Sequence, residues 1–337
     1  MSSAPRRGLR VVSLGGGTGM AALLSGLKRH VAPPAGRRAG SIESLTAVVA
    51  VTDDGGSSGR LRDEFSILAP GDIRNCIVAL SDHTALLTQL FSFRFRGNGH
   101  LGGHSLGNLL LTALASVKGD FLSAIKAAGE VLAIRGTIYP ATMQNVHLVA
   151  DLEDGTSLKG ESTIAKATAR IETIRLEPSR CKPLPETLAA IRRADVITLG
   201  PGSLYTSIIP NLLVPGIAGA IRSSRGLKIF ICNVMTQPGE THGFTASDHL
   251  RSVERICGPG LADRVLVNTA VPTAAALRKY RRDGAEPVRL DLAGFGDLAP
   301  AVRTRKLMSE ERPPSRIVRH DPARLARCIL SLHRERR

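Results

Sequence analysis

Apolar positions along the chain follow two alternating rhythms. Residues 9–14 form a short β-branched run that breaks at once into glycines, and residues 20–30 carry apolar positions at helical spacing, predicting strand, tight turn and helix. Prolines and glycine at 33–36 mark the return, and residues 45–51 are apolar almost throughout, as in a strand covered on both faces. Helical patterning dominates residues 71–132, including 106–117 and 121–132. Residues 147–150 and 157–160 flank Asp154-Gly155, a dipeptide that accepts positive φ, so a hairpin is expected there. Strand and helix alternate again through 196–199, 228–232 and 264–267, and a last helix is expected over 322–333, packed on the outside. Residues 91–96 alternate Phe with polar side chains, which predicts a half-buried strand rather than a stacking platform for RNA bases.

This alternation predicts a doubly wound α/β fold: a mostly parallel, Rossmann-like sheet with helices on both faces and a small antiparallel hairpin excursion. No fixed-period repeat or low-complexity linker divides the chain, so one unit over residues 8–333 is expected.

Composition narrows the function. The 337 residues carry a formal charge of +16, with 36 arginines against 9 lysines spread along the chain in nothing denser than doublets such as Arg192-Arg193 and Arg281-Arg282. That spread suits solvated helix faces and an anionic ligand better than a nucleic-acid surface, and the lack of Trp with only 3% aromatic residues disfavours base stacking. Five cysteines with no close pair read as reduced core thiols rather than a disulfide framework or zinc site. The first apolar run is too short for a signal peptide, and the most apolar stretch, 208–221, is interrupted by Pro210, Asn211 and Pro215. A cytoplasmic protein with no membrane insertion is expected.

Glycine-rich turns carry the candidate chemistry. Gly15, Gly16, Gly17, Thr18 and Gly19 lie between the first strand and helix, where bare N–H groups and a helix amino end suit phosphate. Gly17, Gly19 and Ala22 also match a dinucleotide fingerprint, but the next strand-end acids come late for one. At the end of the second strand, Asp53 and Asp54 suit ribose hydroxyls or a hard cation, Ser57 and Ser58 offer donors, and Arg60 and Arg62 are placed to clamp phosphate oxygens. One Asp is expected to bind and the other to cap the following helix. Asp72 reads as a helix cap that leaves Arg74 and Asn75 on a first turn facing the site. His104, Ser105 and Asn108 stand at another glycine-led helix start, with His104 and Asn108 one turn apart and able to meet a common ligand. Gly200, Gly202 and Ser203 repeat the phosphate-turn logic, and Asn233, Gln237 and Glu240 follow a further strand with groups suited to base or sugar recognition.

Taken in order, the segments at 15–19, 53–59, 70–74, 102–108 and 200–204 resemble the YvcK-type gluconeogenesis factors, which belong with the CofD-like proteins. The resemblance covers nearly the whole chain. It implies a cytoplasmic factor that binds UDP-sugars such as UDP-N-acetylglucosamine and supports cell shape and wall synthesis during gluconeogenic growth, with no established catalysis and no required cofactor. Tyr280 and Arg319 match family segments associated with nucleotide-sugar binding. Enzymatic members of the wider group transfer a phospholactyl-type group from a guanosine nucleotide using magnesium. On that alternative, Asp53 or Asp54 would hold the metal and Arg60 would neutralise developing charge. The form Asp-Asp-Gly-Gly-Ser-Ser-Gly at 53–59 is closer to the gluconeogenesis-factor branch. Homo-oligomerisation and a protein partner in cell-wall regulation are compatible with the resemblance and are left open.

Overall fold

A computed structural model describes residues 8–32, 41–82, 85–298 and 300–336; the turn expected at 33–36 lies outside them. Seven strands form the central sheet: β1 (Leu9–Gly15), β2 (Ile42–Val49), β3 (Thr137–Pro140), β7 (Val196–Leu199), β8 (Leu227–Ile231), β9 (Arg264–Asn268) and β10 (Ala301–Arg305). Their order is β10-β9-β8-β7-β1-β2-β3, and every pairing is parallel. The chain builds outward from β1 to β3, then returns to lay β7 on the other side of β1. The boundary between β1 and β7 is therefore the topological switch point, where ligands of open α/β sheets bind beyond the strands' carboxyl ends.

Parallel strands covered by helices must be apolar on both faces, and β7 and β8 are buried at every position. At the switch point, Ser13 stands opposite Thr198, whose hydroxyl donates to Ser13 Oγ at 2.9 Å, so two buried polar groups satisfy each other inside the sheet.

Helix α1 (Gly17–Leu27) buries Met20, Leu23, Leu24 and Leu27, the i, i+3, i+4, i+7 stripe legible in the sequence. It begins three residues earlier than that stripe implies, because Gly17 takes φ +61° and turns the chain straight from strand to helix. Helices α2 (Gly56–Phe65), α3 (Pro70–Leu80), α4 (Ala85–Ser92), α5 (Leu106–Lys118) and α6 (Phe121–Val131) fill the long helical region. The expected C-terminal helix runs Pro322–Glu335 and packs against α1, where a Cβ on Gly26 would lie 2.0 Å from the carbonyl oxygen of Pro322.

The expected hairpin is β4 (His147–Leu152) with β5 (Ser157–Lys159), turning through Gly155 at φ +82°. It is larger than expected, since β6 (Ile171–Glu177) pairs antiparallel along the other side of β4. A second hairpin joins β11 (Met308–Glu310) to β12 (Val318–His320). The edge strands β3 and β10 escape the apolar pattern because each is short and only partly buried. The strand expected over residues 91–96 does not form: Phe91 buries itself in the last turn of α4, and Phe93 packs edge-on against Phe95 at 5.1 Å, half exposed. Period-two alternation over so short a span does not separate a strand from a helix end followed by coil.

Candidate functional site

The two glycine turns that leave β1 and β7 meet at the switch point. Gly19, in the first turn of α1, approaches Pro201 so closely that a Cβ would lie 2.8 Å from the Pro201 carbonyl oxygen. Gly200 holds φ +80° and donates its N–H to Leu14 at 2.9 Å, which ties the second turn to the end of β1. Asn233, just beyond β8, fastens that turn from outside: its Oδ1 accepts the N–H of Gly202 (3.2 Å) and its Nδ2 donates to the Gly202 carbonyl (2.7 Å). Asn233 thus holds the turn at the edge of the candidate site, with a second amide N–H still to give. Gln237 donates to Ser203 Oγ at 2.8 Å and leaves its Oε1 buried without a partner. Glu240 faces inward, not toward a ligand. Its oxygens accept the N–H of Tyr205 (3.0 Å) and the hydroxyl of Thr206 (3.1 Å), while burial pushes its pKa up.

A pocket of about 290 Å³ opens between the turns, lined by Gly16 to Gly19, Gly202, Ser203, Gln237, Tyr280 and Arg319. The first turn of α1 contributes N–H groups without intrahelical acceptors and the positive end of the helix dipole. Tyr280 comes from the helix Ala274–Arg282, and its hydroxyl accepts the N–H of Val318 at 3.0 Å, so it pins β12 over the pocket as well as walling it. On β12, Arg319 is partly exposed, lines the pocket and pairs with the exposed Glu311 at 3.5 Å. His320, which spacing alone did not single out, also lines the wall. It is buried, its Nε2 has no partner, and burial lowers its pKa to about 4, keeping the imidazole neutral.

The remaining expected residues form a neighbouring cluster beyond the end of β2, and most of them hold protein rather than face the pocket. Asp53 Oδ1 accepts the N–H of Gly55 (2.9 Å) in a local turn, and Asp54 Oδ1 accepts the N–H of Ser162 (2.8 Å) in the short helix Glu161–Ile164 after β5. The expectation that one of them caps α2 is therefore wrong; Gly55 occupies the cap position, where no side chain bonds the helix. Ser57, His104 and Asn108 meet one another instead of a ligand: Ser57 Oγ lies 3.0 Å from His104 Nδ1 and accepts from Asn108 Nδ2 at 3.1 Å, all buried. Burial and the nearby Arg60 lower the His104 pKa. Ser105 is the cap of α5, accepting the N–H of Asn108 at 3.2 Å. Ser58 is buried beside Asp53 at the close approach of Gly71. Arg60 donates to the Gly102 carbonyl at 2.7 Å. Arg62 is corrected from phosphate clamp to structural pin, being 1% exposed and bonded to Asn145 Oδ1 (2.6 Å) and the Val146 carbonyl.

Asp72 links the two clusters. It does not cap α3, whose amino end carries no side-chain cap. Its carboxylate instead faces the first glycine turn, where a Cβ on Gly16 would lie only 2.2 Å from Asp72 Oδ2 and the Gly17 N–H favours the charged form. Burial raises its pKa to about 6, the charge of Asp53 adds to the rise, and Gly17, Arg74 and Asn75 partly oppose it. Arg74 donates to Asn75 Oδ1 at 2.7 Å and keeps its Nε buried without a partner. Glu161, partly buried near the same acids, has its pKa pushed well up by burial and then by Asp72 and Asp53. Among the described residues, no group of three or more His, Cys, Asp or Glu side chains is arranged to hold a metal ion, and Asp54 is committed to Ser162.

A family model described as 2-phospho-L-lactate transferase CofD matches residues 11–308. The chain belongs to the CofD family. Within that family it is 46% identical to the gluconeogenesis factor of Halalkalibacterium halodurans, covering 95% of each chain. It is 42% identical to the gluconeogenesis factor of Bacillus subtilis over 97% of this chain and 98% of that one. A crystal structure of a UPF0052-family protein from Bacillus halodurans superposes with a TM-score of 0.88 at 47% identity, covering 95% of this chain and 99% of that one. Among the described residues no single helix of this CofD-family chain is long and apolar enough to cross a membrane.

Proposed function

We propose that this CofD-family protein is a gluconeogenesis factor that binds a UDP-sugar, UDP-N-acetylglucosamine foremost, at the switch-point pocket and works without catalysis. In this reading, occupancy of the pocket reports the supply of wall precursor in the cytoplasm and supports cell shape and wall synthesis on gluconeogenic carbon. The observation that carries it is the convergence of two glycine turns from adjacent parallel strands on one pocket, walled by Tyr280 and Arg319. A diphosphate suits the bare N–H groups and dipole of α1, Arg319 can fork onto phosphate oxygens, and the Tyr280 ring offers a face for the base or sugar. The names of the relatives support the gluconeogenic part of the reading.

Isothermal titration of the whole protein with UDP-N-acetylglucosamine, UDP and GDP tests it. Arg319→Ala is expected to weaken binding about tenfold, the loss of one charge-assisted phosphate contact, without lowering the melting temperature. Absence of heat with every uridine nucleotide, or affinity unchanged in Arg319→Ala, would reject the reading.

A further inference from the structure

The opposite end of the sheet holds a second cleft, of about 580 Å³, bordered by the amino ends of β1, β7 and β8. Arg10 is the second residue of β1, Asp195 precedes β7, Arg225 precedes β8, Arg192 and Arg193 end the helix Pro185–Arg193, and Arg336 follows the C-terminal helix. Arg10 and Asp195 close on each other through two contacts of 3.2 and 3.3 Å. Arg336 donates to the backbone carbonyl of Arg225 at 3.1 Å, which fixes two parts of the rim together. Arg192, Arg193, Arg225 and Arg336 are exposed and in no ion pair among the described residues. Arginines dispersed over the sequence are thus gathered by the fold around one concavity.

Four guanidinium groups around a cleft repel one another, and a concave wall focuses their field, so the arrangement is relieved by an anionic occupant. Arginine presents a planar fork that matches phosphate oxygens in pairs. Among the described residues the lining includes no Phe, Tyr or Trp, its one ring being the imidazole of His333, and no exposed large apolar side chain to enter a bilayer. We propose that this cleft binds a small anion bearing several closely spaced phosphate groups, at a site separate from the switch-point pocket. The recognised chemistry is the phosphate cluster, whether free or carried on a nucleoside.

The test titrates tripolyphosphate and ATP into the whole protein at about 0.1 M salt, where isolated surface charges are largely screened. R192Q/R193Q and, independently, R225Q/R336Q are each expected to weaken tripolyphosphate binding about tenfold. The pair R170Q/R180Q, which removes the same charge from exposed arginines on another face, should leave binding within about twofold, as expected of screened distant charges. In the Arg319→Ala background, which weakens any phosphate binding at the switch-point pocket, the losses caused by R192Q/R193Q and R225Q/R336Q should be as large as in the parent, which separates the two sites even if that pocket takes no UDP-sugar. Equal affinity for tripolyphosphate and ATP identifies a free polyphosphate as sufficient, and tighter ATP binding lost in the same variants identifies a nucleoside-borne cluster; either supports the site. No binding of either anion, equal losses in all arginine pairs, or loss only in Arg319→Ala would overturn it. Circular dichroism melting of each variant shows that a loss reflects the cleft and not unfolding.

Discussion

The carboxylate of Asp72 lies so close against the first glycine turn that Gly16 has no room for a Cβ, and it faces the Gly17 N–H that the turn would offer to phosphate. Above the raised pKa of about 6 this carboxylate is charged and competes with an incoming anion; below it, the neutral acid does not. Asp53, Arg74, Asn75 and Glu161 face the same group, and of these Asp53 opposes ionisation while Arg74 and Asn75 favour it. A diphosphate diester has no titrating proton in this range. UDP-N-acetylglucosamine binding is expected to tighten by about tenfold or less as pH falls from 7.5 to 5.5, the scale of roughly one pKa unit of interaction. Asp72→Asn should bind more tightly at pH 7.5 and lose the pH dependence; parallel profiles for the two proteins in calorimetry would show that Asp72 does not act on the ligand.

The same ionisation bears on stability. Because the folded-state pKa lies above the ordinary value of 3.8, the Asp72 contribution is most favourable below that value and is lost as pH rises through about 6. Asp72→Asn should therefore be at least as stable as the parent at pH 7.5 and show no gain on acidification to pH 5 that the parent shows, read as denaturant midpoints at the two pH values.

Gly19→Ala places a methyl against the Pro201 peptide group, and a backbone atom at 2.8 Å cannot rotate away as a side-chain tip would. The substitution should cost about 2 kcal/mol of stability, typical of overpacking, and abolish measurable nucleotide-sugar binding because the two turns must part. Gly219→Ala is the matched control: it sits exposed in the helix Ile217–Ser223 with open space around its Cβ position, and should stabilise by about 0.5–1 kcal/mol. Chemical denaturation of both variants settles the comparison.

Asn233→Ala strands the N–H and carbonyl of Gly202, for a loss of about 1–3 kcal/mol together with weaker ligand binding. Asn233→Asp keeps the acceptor for the N–H but cannot donate to the carbonyl, so it should fall between Asn and Ala in melting temperature. An Asp variant as unstable as Ala would show that the Gly202 N–H bond is not what holds the turn.

Arg62 and Arg319 should separate fold from binding. Arg62→Met leaves the buried Val146 carbonyl without its donor and removes the bond that holds Asn145, and about 3 kcal/mol, or roughly 5–10 °C, should be lost in thermal unfolding. Its nucleotide affinity should stay near the parent's, the reverse of the pattern expected for Arg319→Ala. A large affinity loss in Arg62→Met at full stability would restore it as a phosphate clamp.

Much of the sheet and part of the pocket were legible in the sequence, for reasons that particular residues make plain. Residues 9–14 and 196–199 are apolar because parallel strands are covered on both faces, and the glycines that follow them are required by positive φ at Gly17 and Gly200 and by the close approach of Gly19 to Pro201. These are local demands, written at the positions that meet them. The edge strands β3 and β10 and the helix end at Phe91 lacked such a demand and were not readable.

The sequence by itself determined a parallel, doubly wound sheet punctuated by phosphate-suited turns, because periodicity and backbone freedom depend on neighbours along the chain. Only the tertiary structure decided which turns share a pocket, since the order of strands sets β7 beside β1 and leaves the Asp53 cluster one strand further out. It also decided what each polar group is for. Arg62 and Ser57 have the chemistry of ligand-binding residues, yet burial obliges them to satisfy protein groups first, and burial is a property of distant segments brought together. The dispersed arginines gather at the amino edge of β1, β7 and β8 for the same reason: charge is written locally, but its field is summed in space.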